Sequence, residues 1–168
     1  MVLGLLVSTT VFAEKGDVDL FLGSYTDHIK NKTYGYPAQN KNNANYGIGV
    51  SYEVINDLDV TARVFDNSVN QTSVSLNVGY TFLKFQGIEF NIQEQAATGY
   101  SVAYSNGRRS NDMYYKTNLG VCYNTKEIDM FDKHSPKLCA TTKLAGSGGK
   151  SFDQVNFYVL IPLTNLLQ

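Results

Sequence analysis

Two adjacent arginines, Arg108 and Arg109, are well suited to bind a phosphate group. They lie in a polar stretch from residue 104 to residue 112, and a guanidinium fork matches the geometry of phosphate oxygens. The alternative is a solvated pair in a surface loop. The sequence contains no Cys-x-x-Cys, His-Glu-x-x-His or glycine-rich phosphate motif, and His134 has no evident partner. It therefore predicts neither a metal site nor a bound cofactor.

The two cysteines, Cys122 and Cys139, are the second group of residues that could take part in chemistry. Each falls on the polar face of a predicted strand, in the segments 115–123 and 137–144. A hairpin joining these strands would bring the two thiols together. We therefore predict a disulfide, which would stabilise the fold by roughly 2–4 kcal/mol. The alternative is two unpaired thiols.

The elements that must position these groups are β-strands, and the pattern is clearest from Tyr46 to Phe82. Three consecutive segments, 46–54, 58–65 and 73–82, alternate strictly between large apolar residues and small or polar ones. Side chains alternate across a strand, so each segment has two chemically opposite faces. In a soluble sheet the apolar face is the core. In a transmembrane barrel that face meets lipid.

Strand count favours the barrel. Further segments near 17–27, from 87 onward, 113–124, 137–145 and 154–163 bring the predicted total to eight strands. Most have the length that a membrane-spanning strand needs. An even count places both termini on one side, and the longest loops follow the first and fifth strands. The connection after the sixth strand is longer than this scheme expects. We predict an all-β fold, an eight-stranded antiparallel up-and-down transmembrane β-barrel.

The N-terminal segment predicts export. Val2 to Phe12 is apolar and too short to span a bilayer as a helix. Val11 and Ala13 are small residues at the positions that signal peptidase requires. We predict a signal peptide over residues 1–13, cleaved near Ala13, and a barrel domain over residues 14–168 in the outer membrane of a Gram-negative bacterium. The alternative is a buried first strand.

Charged residues on the polar faces are predicted to point into the barrel. They are Glu53, Asp59, Arg63, Glu89, Lys116 and Lys143. A narrow barrel is filled by its own side chains, so we expect these charges to pair and the interior to be plugged. A net charge of −1 gives no attraction to nucleic acid. The 12 tyrosines suit aromatic girdles at a membrane surface, and we expect a monomer in contact with lipid.

Residues 23–82 resemble the lipid A palmitoyltransferase family (PagP), whose members are eight-stranded outer-membrane barrels. The segment from Phe65 to Asn70, followed by Val78-Gly79-Tyr80, is similar to a family stretch with Phe, an Asp-Ser pair, Asn and a later Ala-Gly-Tyr. Upstream, the segment 25–28 resembles the family's His-bearing first loop. The segment 46–51 resembles its Gly-Phe-Gly-Leu-Ser strand.

The resemblance implies a catalytic set at the cell-surface rim, where the family uses His, Asp and Ser to transfer a palmitoyl chain to lipid A. By position, His28 matches the His and Ser68 matches the Ser. Asn67 stands where the family has Asp, and Asp66 is the substitute acid. In the alternative interpretation, His28 is a plain loop residue, and Asn67 and Ser68 bond local backbone in a turn.

Three functional hypotheses follow. The first is a non-catalytic outer-membrane barrel with a plugged polar interior, whose loops contact lipopolysaccharide or a surface partner. Arg108 and Arg109 would then bind the phosphates of lipid A. The second is a lipid A acyltransferase that uses His28, Ser68 and Asp66. The third is a soluble periplasmic β-barrel.

Overall fold

The computed structural model describes residues 16–28, 43–67, 71–103, 109–125, 135–146 and 154–163, most of which lie in strands. The strands are β1 (Val18–His28), β2 (Gly47–Ile55), β3 (Leu58–Asp66), β4 (Thr72–Phe85), β5 (Ile88–Ala103), β6 (Arg109–Asn124), β7 (Lys137–Gly146) and β8 (Gln154–Pro162). Each pairs with its sequence neighbour, and β8 pairs antiparallel with β1. The predicted all-β fold and closed eight-stranded antiparallel barrel are confirmed.

The barrel has two distinct ends. One end, here called the turn end, holds the start of β1, the end of β8 and the tight turns after β2 and β4. The other end, here called the loop end, holds the connections after β1, β3, β5 and β7. Positive φ values of 47° at Gln86 and 75° at Gly87 shape one tight turn. Turns whose two central residues have positive φ match the right-handed twist of paired strands. This match explains why the hairpin between β4 and β5 is short.

Several strands are longer than the sequence pattern predicts. β4 continues to Phe85, β5 continues to Ala103, and β6 begins at Arg109 rather than near residue 113. The β5–β6 register shifts between Ala97 and Tyr100, around Gly99 with φ of 81°. Such a bulge interrupts the two-residue alternation while the ladder continues beyond it. The break in alternation around Gly99 therefore marks a bulge and not the end of the strand.

Polar side chains fill the inside of the barrel and apolar side chains cover the outside. Among the described residues, 16 buried residues are polar or charged, whereas only 6 are hydrophobic. Twenty large hydrophobic side chains are exposed, including Ile48, Val64 and Leu76. This distribution is the reverse of that expected for a barrel in water.

Residues 1–13, the predicted signal peptide, lie outside the described residues. Within the described ranges, no helix is long and apolar enough to cross a membrane.

Candidate functional site

The centre of the barrel is built around Arg63 on β3. Its guanidinium carbon lies 5.0 Å from the ring centre of Phe21 and 4.7 Å from that of Phe65. Its Nε donates a hydrogen bond to Ser75 Oγ at 2.9 Å. Cation–π contacts of this kind stabilise a charge that has left bulk water. Gly49 lies opposite Arg63 in the β2–β3 ladder, and a Cβ there would be 2.5 Å from the Cβ of Arg63.

Tyr158 on β8 extends this central group. Its ring stacks on Phe21 with 4.8 Å between ring centres. Its hydroxyl accepts a hydrogen bond from Gln93 Nε2 at 2.9 Å, and the same Nε2 donates to Asn91 Oδ1 at 3.1 Å. Strands from opposite sides of the barrel are thereby joined across the interior. The described centre is therefore a packed network rather than an open channel.

The predicted cysteine pairing is confirmed. Cys122 on β6 and Cys139 on β7 are direct cross-strand partners, and their sulfurs are 2.07 Å apart. Both are buried on the inner face, and Asn91 Nδ2 lies 3.7 Å from Cys122 Sγ. Tyr158 is the β8 partner of Cys139. The disulfide thus fixes the β6–β7 register beside the central network.

Charges at the turn end pair differently from the prediction. Glu89 binds Lys137 at 3.1 Å, a lysine outside the predicted set, and Asp57 binds Lys84 at 2.6 Å. Glu53 instead accepts a hydrogen bond from the backbone N–H of Asp57 at 3.0 Å. Within the described residues, Glu53 and Asp59 form no ion pair. The expectation that the six inward charges neutralise one another is therefore wrong for these acids.

A small polar cavity of about 70 Å³ lies along the barrel axis. Asp19, Asp59, Asn77 and Asn118 are among its lining residues. The Oδ1 atoms of Asn77 and Asn118 are buried and have no protein donor. A polar cavity of this size holds a few water molecules, which would supply those donors. Gly79 gives room beside this cavity, because a Cβ there would lie 2.5 Å from a carboxylate oxygen of Asp59.

At the loop end, Asn67 has a structural role. Its side chain is fully buried, and its Nδ2 donates to Ser73 Oγ and to the carbonyl oxygen of Gly99, both at 2.9 Å. Its Oδ1 accepts from the backbone N–H of Gln71 at 3.0 Å. The amide therefore closes the β3–β4 connection and ties it to the bulge in β5. An aspartate could not donate either of the two Nδ2 bonds.

A second polar network closes the barrel seam at the loop end. Thr26 Oγ1 donates to Asn156 Oδ1 at 2.7 Å, and Asn45 Nδ2 donates to Thr26 Oγ1. Asn156 Nδ2 lies 3.4 Å from Thr141 Oγ1 on β7. Side chains from β1, β7 and β8 are therefore linked by polar contacts where β1 meets β8.

The residues that the sequence singled out lie at the loop end, in so far as the structure describes them. His28 ends β1 opposite Gln154, and Arg109 begins β6 opposite Ala103. Asp66 ends β3, and its side chain is exposed on the outer side. Ser68 and Arg108 lie outside the described residues. The association of His28 with Ser68 therefore stays a prediction.

An apolar groove of about 620 Å³ runs over the outer face where β1, β8, β7 and β6 adjoin. Gly23 and Ala140 supply small residues along it, and a Cβ on Gly23 would meet no atom within 4 Å. The other residues that line it are Leu22, Tyr25, Ala44, Tyr46, Val121, Tyr123, Leu138, Cys139, Phe157, Tyr158 and Val159. The bulge at Gly23, where φ is 58° and the β1–β8 register shifts, helps to shape this depression.

One polar pair interrupts the apolar outer face. Glu94 on β5 accepts a hydrogen bond from Thr117 on β6 at 2.7 Å, and both residues are outside the barrel. The sequence analysis missed this pair and also missed Phe21, Tyr158 and Lys137 inside. Their positions in the alternation indicate which face each occupies, but not which partner lies across the barrel. In the described part of the chain, no three His, Cys, Asp or Glu residues are grouped to hold a metal ion.

No protein-family model matches the chain, and no curated protein matches it in a sequence comparison. The fold and the interior therefore define its class on their own. The protein is an all-β, closed, eight-stranded antiparallel barrel with a polar, disulfide-linked interior and an apolar outer face.

Proposed function

We propose that the protein is a small outer-membrane β-barrel that contacts lipopolysaccharide or a surface partner through its loop end and performs no catalysis. The reversed distribution of polar and apolar side chains carries this proposal. Fully burying an aliphatic or aromatic side chain is worth about 1.5–3 kcal/mol relative to leaving it in water. Lipid around the barrel would supply that burial for the exposed residues. Closure of the sheet also leaves no unpaired edge, as a hydrocarbon environment requires.

The height of the apolar outer face supports a membrane location. Tyr115 and Tyr123 both point outward from β6 and are separated by roughly 26 Å along the strand, at about 3.3 Å per residue. A strand tilt of about 40° reduces this to a height of roughly 20 Å, close to the ~25 Å apolar band of outer-membrane barrels. Tyr46, which directly precedes β2, and Tyr52 on β2 flank two exposed aliphatic side chains, Ile48 and Val50.

The position of Arg109 supports a lipopolysaccharide contact. It begins β6 at the loop end, opposite the end that holds the start of β1 and the end of β8. In bacterial outer-membrane barrels the termini face the periplasm, so this end would face outward. Phosphate groups of lipid A would then face the end at which β6 begins, and Arg108 and Arg109 are their proposed ligands. Guanidinium groups bind such phosphates in bidentate fashion.

Two observations favour a non-catalytic barrel over the acyltransferase alternative. The amide of Asn67, at the family's Asp position, is committed to three hydrogen bonds that hold the turn. The interior cavity is polar and is lined by Arg63 and Lys116. An acyl chain placed beside these charges would strip their hydration at a high energetic cost. A soluble barrel would instead expose this apolar outer face to water, which is unfavourable.

Fractionation tests the membrane location. Cells expressing the full chain are separated into soluble and outer-membrane fractions, and gel mobility is compared with and without boiling. We expect recovery only with detergent and a heat-dependent mobility shift, because a closed barrel resists unfolding in cold detergent. Recovery of folded protein from the periplasm without detergent would refute the proposal.

Lipopolysaccharide binding tests the loop-end contact. Replacing Arg108 and Arg109 with Ala should weaken binding of purified lipopolysaccharide at least about tenfold, since a hydrogen bond to a charged group is worth ~1.5–3 kcal/mol. Lys84→Ala is the matched control, because it removes a cation at the turn end. Equal loss in the control would contradict a specific contact. Mass spectrometry of lipid A should show no added acyl chain; an addition that disappears in Ser68→Ala would establish the acyltransferase instead.

A further inference from the structure

We propose that the outer groove at Gly23 and Ala140 binds one acyl chain of lipopolysaccharide. This inference rests on the proposed outer-membrane location and names the lipid that the barrel retains. The groove is defined by its two small residues and by the larger side chains around them. The groove opens on the outer face and the polar cavity lies inside the barrel, and Tyr158 lines both.

The shape of the groove favours an elongated apolar occupant. Its volume of about 620 Å³ lies within the range of small-molecule sites, roughly 300–1,000 Å³. Leu22, Val121, Leu138 and Val159 line it, so an acyl chain would meet aliphatic groups along its length. A charged or strongly hydrated ligand would lose its hydration there without compensation.

The direction of the groove favours a lipid that enters from the loop end. Tyr25 and Tyr46 line it near the loop end, and Tyr123 and Leu138 line it toward the turn end. Tyrosine rings suit the membrane boundary at either end, because one edge is apolar and the hydroxyl stays hydrated. The loop end holds two of the three tyrosines that line the outer side of the groove. The groove continues the exposed apolar face, where lipid would contact the rest of the barrel. In the proposed orientation, the loop-end leaflet is the one that contains lipopolysaccharide.

The small residue at position 140 makes the groove testable. Ala140 points outward from β7 between Val121 and Phe157 in the ladder. Ala140→Trp would place an indole in the groove and displace several methylenes of the chain. The displaced methylenes would stay in hydrocarbon, so what is lost is close packing contact, and each atom pair contributes only a small amount. Loss of roughly ten such contacts should weaken retention about tenfold.

The matched control is Ala62→Trp. Ala62 also points outward, from β3, but its ladder partners are Val50 and Leu76 and it does not line the groove. The chain contains no tryptophan, so each variant carries a single indole whose emission reports its surroundings. Both variants are refolded in detergent without lipopolysaccharide and checked by heat-dependent gel mobility. Ala140→Leu is the milder replacement if the tryptophan variant does not fold.

The measurement has two parts. Tryptophan emission in lipid vesicles tests the membrane location, and native mass spectrometry after incubation with purified rough-type lipopolysaccharide tests the groove. We expect blue-shifted emission from both variants and loss of bound lipopolysaccharide in Ala140→Trp alone. Blue-shifted emission with equal retention would overturn the groove and leave the membrane barrel standing. Water-like emission from both would overturn the membrane barrel. Retention of phospholipid in preference to lipopolysaccharide would also overturn the inference.

Discussion

A single charge placed on the outer face separates a lipid-facing barrel from a soluble one. Val50 lies at the middle of the outward row of β2, and 47% of its surface is exposed. Its ladder partners are Leu20 and Ala62, so no described neighbour offers a counter-ion. Val50→Arg should cost about 2–4 kcal/mol at the middle of a bilayer. In water, a surface substitution of this kind should stay within about 0.5 kcal/mol.

Reversible urea unfolding in lipid vesicles measures this difference. A loss of about 2–4 kcal/mol corresponds to a roughly 30- to 700-fold change in the folding equilibrium. Thr72→Arg is the control, because Thr72 is exposed at the loop end of β4, where the same charge should cost about 0–1 kcal/mol. Equal small effects of the two substitutions would refute the lipid-facing assignment. Equal large effects would point to a disturbed strand rather than to the membrane.

Three further predictions concern the interior and the bulges. Replacing both Cys122 and Cys139 with Ser should cost about 3 kcal/mol, because the disulfide closes a loop with a sequence separation of 17; an unchanged urea midpoint would contradict this. Asn67→Asp should cost at least about 1–3 kcal/mol, since it removes two buried donors. It should produce no acyl transfer by lipid A mass spectrometry, and a gain of activity would reverse that assignment. Gly99→Ala should destabilise the protein more than Gly23→Ala. Both glycines have positive φ, but only at Gly99 would an added Cβ lie 2.5 Å from a backbone oxygen. Thermal unfolding compares the two variants, and equal losses of stability would argue against a steric clash at Gly99.

The sequence alone was sufficient for the antiparallel strands and the cysteine pairing. Strict alternation from Tyr46 to Phe82 reported which side chains share a face, since that property depends only on the two-residue repeat. Cys122 and Cys139 fell on equivalent faces of adjacent strands, and the ladder places them directly opposite. Strand ends were less accurate where a bulge intervened, because Gly99 changes the phase of the alternation without ending the hydrogen-bonded ladder.

The candidate site depended more heavily on three-dimensional placement. Lys137 binds Glu89 across 48 residues of sequence, and Arg63 lies on Phe21 from a strand that is not its neighbour. No local pattern encodes a contact across a barrel interior. Asn67 could be interpreted from sequence as a turn residue or as a replaced catalytic acid. Only its bonds to Ser73 and Gly99 show the structural role.

The sequence by itself determined that each strand has one apolar and one polar face, because alternation follows from the geometry of an extended chain. The repeat alone left open which face would be enclosed, since a soluble sheet and a membrane barrel share it, and strand count and loop lengths favoured the polar face. The tertiary structure decided this through the pairing of β8 with β1. Closing the sheet gives it an inside, and the direction of curvature places Ser51, Asn77 and Lys143 there while Ile48 and Leu76 remain outside.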